Sequence, residues 1–373
     1  MTSHLFSPLT LAGLTLSNRI VVSPMCQYSA VEGVATDWHM MHMLQFAISG
    51  AAVFMIEASA VEPMGRITHG CLGLYTDEQE QTLGRIVAAA CRYGTARVGI
   101  QIGHSGRKGS CHVPWEGGAP LGAEKNPWPV VGPSDIPFGE GSPRPVPLDR
   151  AGLARIKEAF VTSARRADRI GIELVEVHCA HGYLLHSFLS PLSNRRTDEY
   201  GGSRVNRMRF PLEVAEAVRA VWPQGKPLGI RVSAVDWAEG GIELEDTIAF
   251  VSAAKRLGID YVCVSSGGLV PNVRVPVAPG YQLPFAKRIR RETGIITRAV
   301  GMIVSPRQAE AAIVAGHADQ VAIARAFLDD PRWTWHAAEA LGVHVPYPPQ
   351  YERCRADGWP GAKLAPCRQS PVA

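Results

Sequence analysis

The stretch Arg19-Ile20-Val21-Val22-Ser23-Pro24-Met25-Cys26-Gln27-Tyr28-Ser29 decides between two architectures built on a parallel sheet. It opens as a short apolar run of the kind a buried strand makes. A doubly wound open sheet usually carries a glycine-rich dinucleotide turn after its first strand, and here the chain runs into SPMCQYS, which has no glycine. Working outward, seven more runs of the same kind follow: Val53 to Glu57, Arg97 to Gln101, Leu174 to Val177, Leu228 to Val232, Tyr261 to Ser265, Ile296 to Val300 and Gln320 to Ile323. Between them lie stretches with helical periodicity, clearest in Leu153 to Ile170, Arg207 to Trp222, Leu244 to Leu257, Tyr281 to Thr293 and Pro306 to Ala315. This alternation predicts an α/β protein with a single (β/α)8 TIM barrel over residues 1–345.

Two stretches depart from the repeat. Arg107 to Pro147, after the third strand, is rich in Pro and Gly and too long for an ordinary βα loop, so it reads as a lid or an elaborated wall of the site. Residues 346–373 have many prolines and no periodic face, which predicts a C-terminal arm or tail. Length allows one large domain: the chain has 373 residues, 46% of them hydrophobic and 19% charged. A net charge of +4 without a basic run leaves no nucleic-acid footprint. No leader-like N-terminus and no run approaching about eighteen apolar residues is visible, so neither secretion nor membrane spanning is expected and a cytoplasmic address follows by default. Eight cysteines (26, 71, 91, 111, 179, 263, 354 and 367) form no C-x-x-C pair, which argues for reduced thiols over a zinc ribbon or a disulfide scaffold.

A barrel of this type places its chemistry where strands end. Strand four runs into His178, His181 and Tyr183, two imidazoles able to donate to one carbonyl oxygen beside a phenol able to deliver a proton. On spacing alone a metal site competes with that reading. His39 and His42 repeat the spacing within a predicted helix, and with no carboxylate in view at a facing position they read as structural. Arg231 closes an apolar strand, so it should meet a ligand anion or form a salt bridge with Asp236 or Glu57. Gly267, Gly268, Gly301 and Arg325 follow strands six to eight, where barrels often bind phosphate; a glycine that only permits a turn is the plain alternative for each. Cys26 is either a nucleophile, which needs a base partner, or the commoner buried inert thiol.

The strings SPMCQYS, IQIGHSGRK, VEVHCAHGYLLHSFLSPLSNRRTDEYGGS, and AVG followed by IARAFL resemble the Old Yellow Enzyme family, in its bacterial, thermophilic-like branch, over about residues 5 to 353. The resemblance sets the metal reading aside. It implies FMN across the barrel mouth, with Ser23, Pro24, Met25, Cys26 and Ala60 along the isoalloxazine, Gln101 and Arg231 on the pyrimidine edge, and Gly268, Gly301, Ala324 and Arg325 among the cofactor contacts, the last two at the phosphate. Arg231 would then stabilise the anionic reduced flavin. The implied activity is ene reduction: NADPH or NADH reduces FMN and leaves, and an electrophilic alkene then takes hydride. His178 and His181 would bind its carbonyl or nitro oxygen, Tyr183 would protonate the α carbon, Tyr28 would add a hydrogen bond to substrate, and Cys26 would modulate the flavin. Gln350-Tyr351-Glu352-Arg353 resembles the branch's arm, which brings an arginine into a neighbouring active site and implies a homodimer or higher even oligomer exchanging Arg353. The chain departs from the pattern by running about twenty residues past Arg353 and by having Ala324 where many relatives have glycine, a change the backbone tolerates only at negative φ. An FMN oxidase or demethylase, and a non-catalytic flavin-binding protein, are the rival functions.

Overall fold

The computed structural model describes residues 3–364. Eight strands close a barrel: β1 (Ile20–Val22), β2 (Val53–Ala60), β3 (Arg97–Gly103), β4 (Leu174–Cys179), β5 (Leu228–Ser233), β6 (Tyr261–Ser265), β7 (Ile296–Val300) and β8 (Gln320–Ile323). Each pairs in parallel with its successor, and β8 pairs with β1 to complete the cylinder. All eight predicted strands are present. Four run past their predicted C-terminal ends, most consequentially β4, which carries His178 inside the strand rather than after it.

Alternation along each strand sorts the core into two shells. Val175, Val177, Ile230, Val232, Val262 and Val264 face outward into the main core beneath the helices. Val21, Val53, Met55, Leu174, Tyr261 and Ala322 face inward and pack with Leu11 and Leu16. Those two leucines come from an N-terminal antiparallel hairpin, Leu9–Leu11 with Leu14–Leu16, which closes the floor of the barrel. Large inward side chains fit because glycines stand opposite them. A Cβ on Gly229 would lie 2.3 Å from the Tyr261 ring, and one on Gly99 would lie 2.3 Å from the Met55 sulfur. Above the floor the interior turns polar: Gln101 stands beside Glu176 in register, and one step higher His178 stands beside Arg231.

Helices α1 (Asp37–Ala47), α2 (Asp77–Tyr93), α3 (Arg150–Arg169), α4 (Arg204–Val221), α5 (Leu244–Arg256), α6 (Leu283–Thr293) and α7 (Pro306–Val314) alternate with the strands. Several start on residues whose side chains accept an otherwise orphaned backbone N–H: Thr76 from Gln79, Asp149 from Gly152, Ser203 from Asn206 and Ser305 from Gln308. The segment after β3 forms a wall of short 3-10 turns and a two-stranded ribbon, Val131–Gly132 with Val146–Pro147. After helix α8 (Trp333–Ala340) the chain turns back on itself, stacking Tyr347 on Trp335 with ring centroids 4.1 Å apart. Residues 365–373 of the expected tail, with Cys367, lie outside the described residues. No helix among the described residues is long and apolar enough to cross a membrane.

Candidate active site at the barrel mouth

Strand β4 and the turn after it bring His178, His181 and Tyr183 together. The His178 ring lies 5.1 Å from that of His181 and 4.9 Å from that of Tyr183, nearly perpendicular to both. His178 Nδ1 accepts the Ala180 N–H at 3.1 Å, so its proton sits on Nε2 and points away from the strand. His181 Nδ1 lies 3.4 Å from that nitrogen, and His181 Nε2 lies 2.8 Å from Ser265 Oγ. The turn that achieves this is tight. His181 itself has φ +59, Gly182 has φ +76, and a Cβ on Gly182 would strike the Gly268 carbonyl oxygen at 2.3 Å. Burial, then the Arg231 charge, holds both histidines well below the ordinary imidazole range, so both are neutral near pH 7. Burial, then Cys26, pushes the Tyr183 phenol well above its ordinary value, which keeps it protonated.

Arg231 is nine-tenths buried, and its Nε has no hydrogen-bond partner. The two carboxylates that a salt bridge would need are already engaged. Asp236 accepts from Ser190 Oγ at 2.7 Å and faces His186 Nε2 at 3.0 Å. Glu57 accepts the Gln27 N–H at 3.0 Å and faces His39 Nε2 at 3.4 Å. The salt-bridge reading of Arg231 is therefore excluded, and so is the expectation that no carboxylate faces His39, because Glu57 arrives from β2, remote in sequence. Both imidazole nitrogens of His39 have work in the fold, since Nδ1 accepts the Thr36 N–H at 3.0 Å. His39 is thus no base for Cys26, whose thiol is pushed well above its usual range by burial and by Glu57, the inert alternative.

The remaining residues fall around the same mouth. Ser23 is buried at the end of β1, with its N–H on the Ile323 carbonyl. Pro24, Met25 and Cys26 follow it half-buried, and Tyr28 takes φ +51 with its ring 6.0 Å from that of Trp115. Ala60 ends β2, and its N–H and carbonyl are used by Leu72 and Leu74. Gln101 donates its amide to Glu176 at 2.7 Å, which leaves its carbonyl oxygen as the uncommitted end. Gly268 and Gly301 have φ +87 and +114, so each is required by backbone conformation whatever else it does. Ala324 keeps φ at −109, the negative value its side chain requires, and Arg325 is exposed at the start of the next short helix. Arg353 lies elsewhere, exposed in the 3-10 segment Pro349–Cys354, whose Tyr351 packs against Trp335. Among the described residues no group of three His, Cys, Asp or Glu side chains is arranged as a metal site.

Sequence reasoning missed Lys108. Its ammonium donates to the His181 and Gly268 carbonyls at 2.8 and 2.9 Å, tying the strained turn to the loop after β6. Burial and the nearby Arg107 bring its pKa down to about 8. Its signals were its place at the end of the string IQIGHSGRK and in the wall segment, neither of which says which loop it will meet. Beside it a cavity of about 300 Å³ opens, lined by Tyr28, Arg107, Lys108, Cys111 and Phe138 among others.

A profile of the NADH:flavin oxidoreductase / NADH oxidase family matches residues 4–343. The chain belongs to this family, the Old Yellow Enzymes. An NADPH dehydrogenase of Geobacillus thermodenitrificans is 45% identical over 361 residues, covering 96% of this chain and 99% of that protein. One of Listeria innocua is 43% identical over 353 residues, covering 94% and 99%. Among solved structures, morphinone reductase aligns with a TM-score of 0.76 at 26% identity, covering 93% of this chain and 92% of that one.

As an Old Yellow Enzyme the chain is a nicotinamide-dependent FMN oxidoreductase on a (β/α)8 barrel. Its residues fit that cofactor on their own chemistry. A buried guanidinium lacking an internal partner suits the electron-rich edge of a flavin, and the free carbonyl end of Gln101 suits its N–H.

Proposed function

We propose that this Old Yellow Enzyme reduces the C=C bond of α,β-unsaturated carbonyl or nitro compounds with NADPH or NADH, in a ping-pong order. The observation that carries the proposal is the pair of neutral imidazoles whose facing nitrogens, 3.4 Å apart, converge on one point of the mouth, beside a protonated phenol. FMN, when bound, would supply the hydride that the β carbon of the alkene takes. Arg231 and Gln101 would hold the cofactor's pyrimidine edge, Ser23, Pro24, Met25, Cys26 and Ala60 would flank the ring system, and Gly268, Gly301, Ala324 and Arg325 would serve the remaining contacts, with the last two at the phosphate.

His178 and His181 bind the substrate oxygen. As negative charge moves onto that oxygen their hydrogen bonds strengthen, so they stabilise the transition state more than the ground state. Tyr183 gives its proton to the α carbon, and Tyr28 adds a hydrogen bond to the substrate. Arg353 reaches the mouth of a neighbouring subunit, the arm beyond residue 345 being exchanged in a homodimer or higher even oligomer; its exposed position away from its own His178 supports that assignment. The names of the curated relatives favour NADPH as the donor. The unpaired thiols of Cys26, Cys71, Cys91, Cys111, Cys179 and Cys263 suit a cytoplasmic enzyme.

The test is turnover of enones, maleimides and nitroalkenes by the wild type and by the His178→Ala/His181→Ala double variant. The double variant should keep FMN and lose enone turnover by about 10²-fold or more, the scale of losing oxyanion donors. Full turnover in the double variant, or none in the wild type with any of these alkenes, removes the proposal.

A further inference from the structure

We propose that Ser265 is a positioning residue for the histidine pair: its hydroxyl donates to His181 Nε2 and so places the proton of that ring on Nδ1. This rests on the reading of His178 and His181 as the seat of a substrate oxygen. For both rings to donate to one oxygen, His178 must carry its proton on Nε2 and His181 on Nδ1, because those are the nitrogens that face each other. The first condition is met by the Ala180 N–H on His178 Nδ1. The second depends on what His181 Nε2 meets, and it meets Ser265 Oγ at 2.8 Å.

A hydroxyl can donate or accept, so its direction has to be settled by its other neighbours. Ser265 is buried, and its other polar contact is Gln282 Oε1 at 3.4 Å. The sense of that amide is fixed, since Gln282 Nε2 donates to the Val300 carbonyl at 2.8 Å. Its Oε1 is already served by Ser266 Oγ at 2.6 Å. With the neighbouring acceptor satisfied at short range, the Ser265 proton is left for the closer His181 Nε2. The separation of the two facing ring nitrogens agrees: 3.4 Å is longer than a settled hydrogen bond, as expected of two donors that lack an oxygen between them.

The backbone that carries the His181 ring is fixed as well. Its backbone N–H donates to Ser233 Oγ at 3.0 Å, and that hydroxyl donates to the Gly267 carbonyl at 2.8 Å. Lys108 holds its carbonyl from the other side. The ring is therefore presented from a fixed backbone, and Ser265 selects which of its nitrogens donates into the mouth.

The experiment is a long-range ¹H–¹⁵N correlation spectrum of FMN-loaded, ¹⁵N-histidine-labelled protein at pH 8, assigned with single histidine variants. The wild type should show His178 as the Nε2–H tautomer and His181 as the Nδ1–H tautomer. In S265A the His181 signals should move to Nε2–H or to a mixture, and S265T, which keeps the hydroxyl, should restore them. The KM for cyclohex-2-enone should rise about tenfold in S265A and recover in S265T, the scale of one donor lost from a neutral acceptor. A wild-type His181 with its proton on Nε2, or an unchanged His181 tautomer in S265A, overturns the proposal. The wild-type spectrum decides even where S265A does not fold, and it does so whether or not cyclohexenone is turned over; failure of the functional reading shows separately, as absence of wild-type turnover.

Discussion

Among the buried charged groups Glu176 meets Arg298, Glu57 meets His39 and Asp236 meets His186, while Arg231 meets no carboxylate. A buried guanidinium left in that condition costs stability, and folds keep such residues where a ligand completes them. Arg231→Met removes the cost and the ligand contact together. The variant should therefore melt no lower than wild type without cofactor, and bind FMN about tenfold or more weakly, the scale of one charge-assisted hydrogen bond. Thermal melting and fluorescence titration of the apoprotein check both; a destabilised apoprotein with unchanged FMN affinity would show that Arg231 serves the fold instead. At this scale sequence reading found the residues that strand ends deliver, His178, His181, Tyr183 and Arg231 among them. It did not find partners supplied from remote segments. Glu57 for His39, Lys108 for the His181 turn and Ser265 for the His181 ring all depend on which loop crosses which, and no local pattern carries that information.

At the scale of elements the legibility is higher, because a strand buried on both faces must be apolar along its length and a helix must show its own period. All eight strands and the five helices named from periodicity lie where the pattern put them. The errors are at strand ends such as Ser59-Ala60, Gly103 and His178-Cys179, where small or polar residues that look like loop continue the ladder because they line the mouth. Packing between neighbouring strands yields a prediction of its own. Gly229 on β5 leaves room for the Tyr261 ring on β6, with a Cβ placed within 2.3 to 2.5 Å of three ring atoms. The ring is fully buried and faces Arg298 at 4.3 Å, so it has nowhere to retreat. Gly229→Ala should lower stability by about 1–3 kcal/mol, the usual cost of overpacking a core. Equilibrium urea unfolding measures it, and a neutral or stabilised variant would mean that the floor of the barrel is loosely packed.

Across the whole molecule, burial of neutral histidines ties stability to pH. His178 and His181 are held well below the ordinary imidazole range, and burial brings His42 down to about 4. In the unfolded chain each titrates near about 6.5. Below that value the unfolded chain binds protons that the folded chain refuses, so stability is full above about pH 6.5 and declines as pH falls toward the folded values. Melting temperature should be nearly level from pH 8 to 7 and drop between pH 6.5 and 5, more steeply than one proton allows; a level profile down to pH 5 would contradict the neutral state of the pair.

On the proposed function that neutral state would let the two imidazoles receive a substrate oxygen beside bound FMN, and the central claim is that this mouth passes electrons from a nicotinamide to an activated alkene. The most direct measurement is an anaerobic titration of the FMN-loaded protein followed at the flavin's visible band. Stoichiometric NADPH should bleach the band, and cyclohex-2-enone added afterwards should restore it with formation of one equivalent of cyclohexanone. A band that bleaches with the nicotinamide and stays bleached after enone, maleimide and nitroalkene are each added would contradict the account.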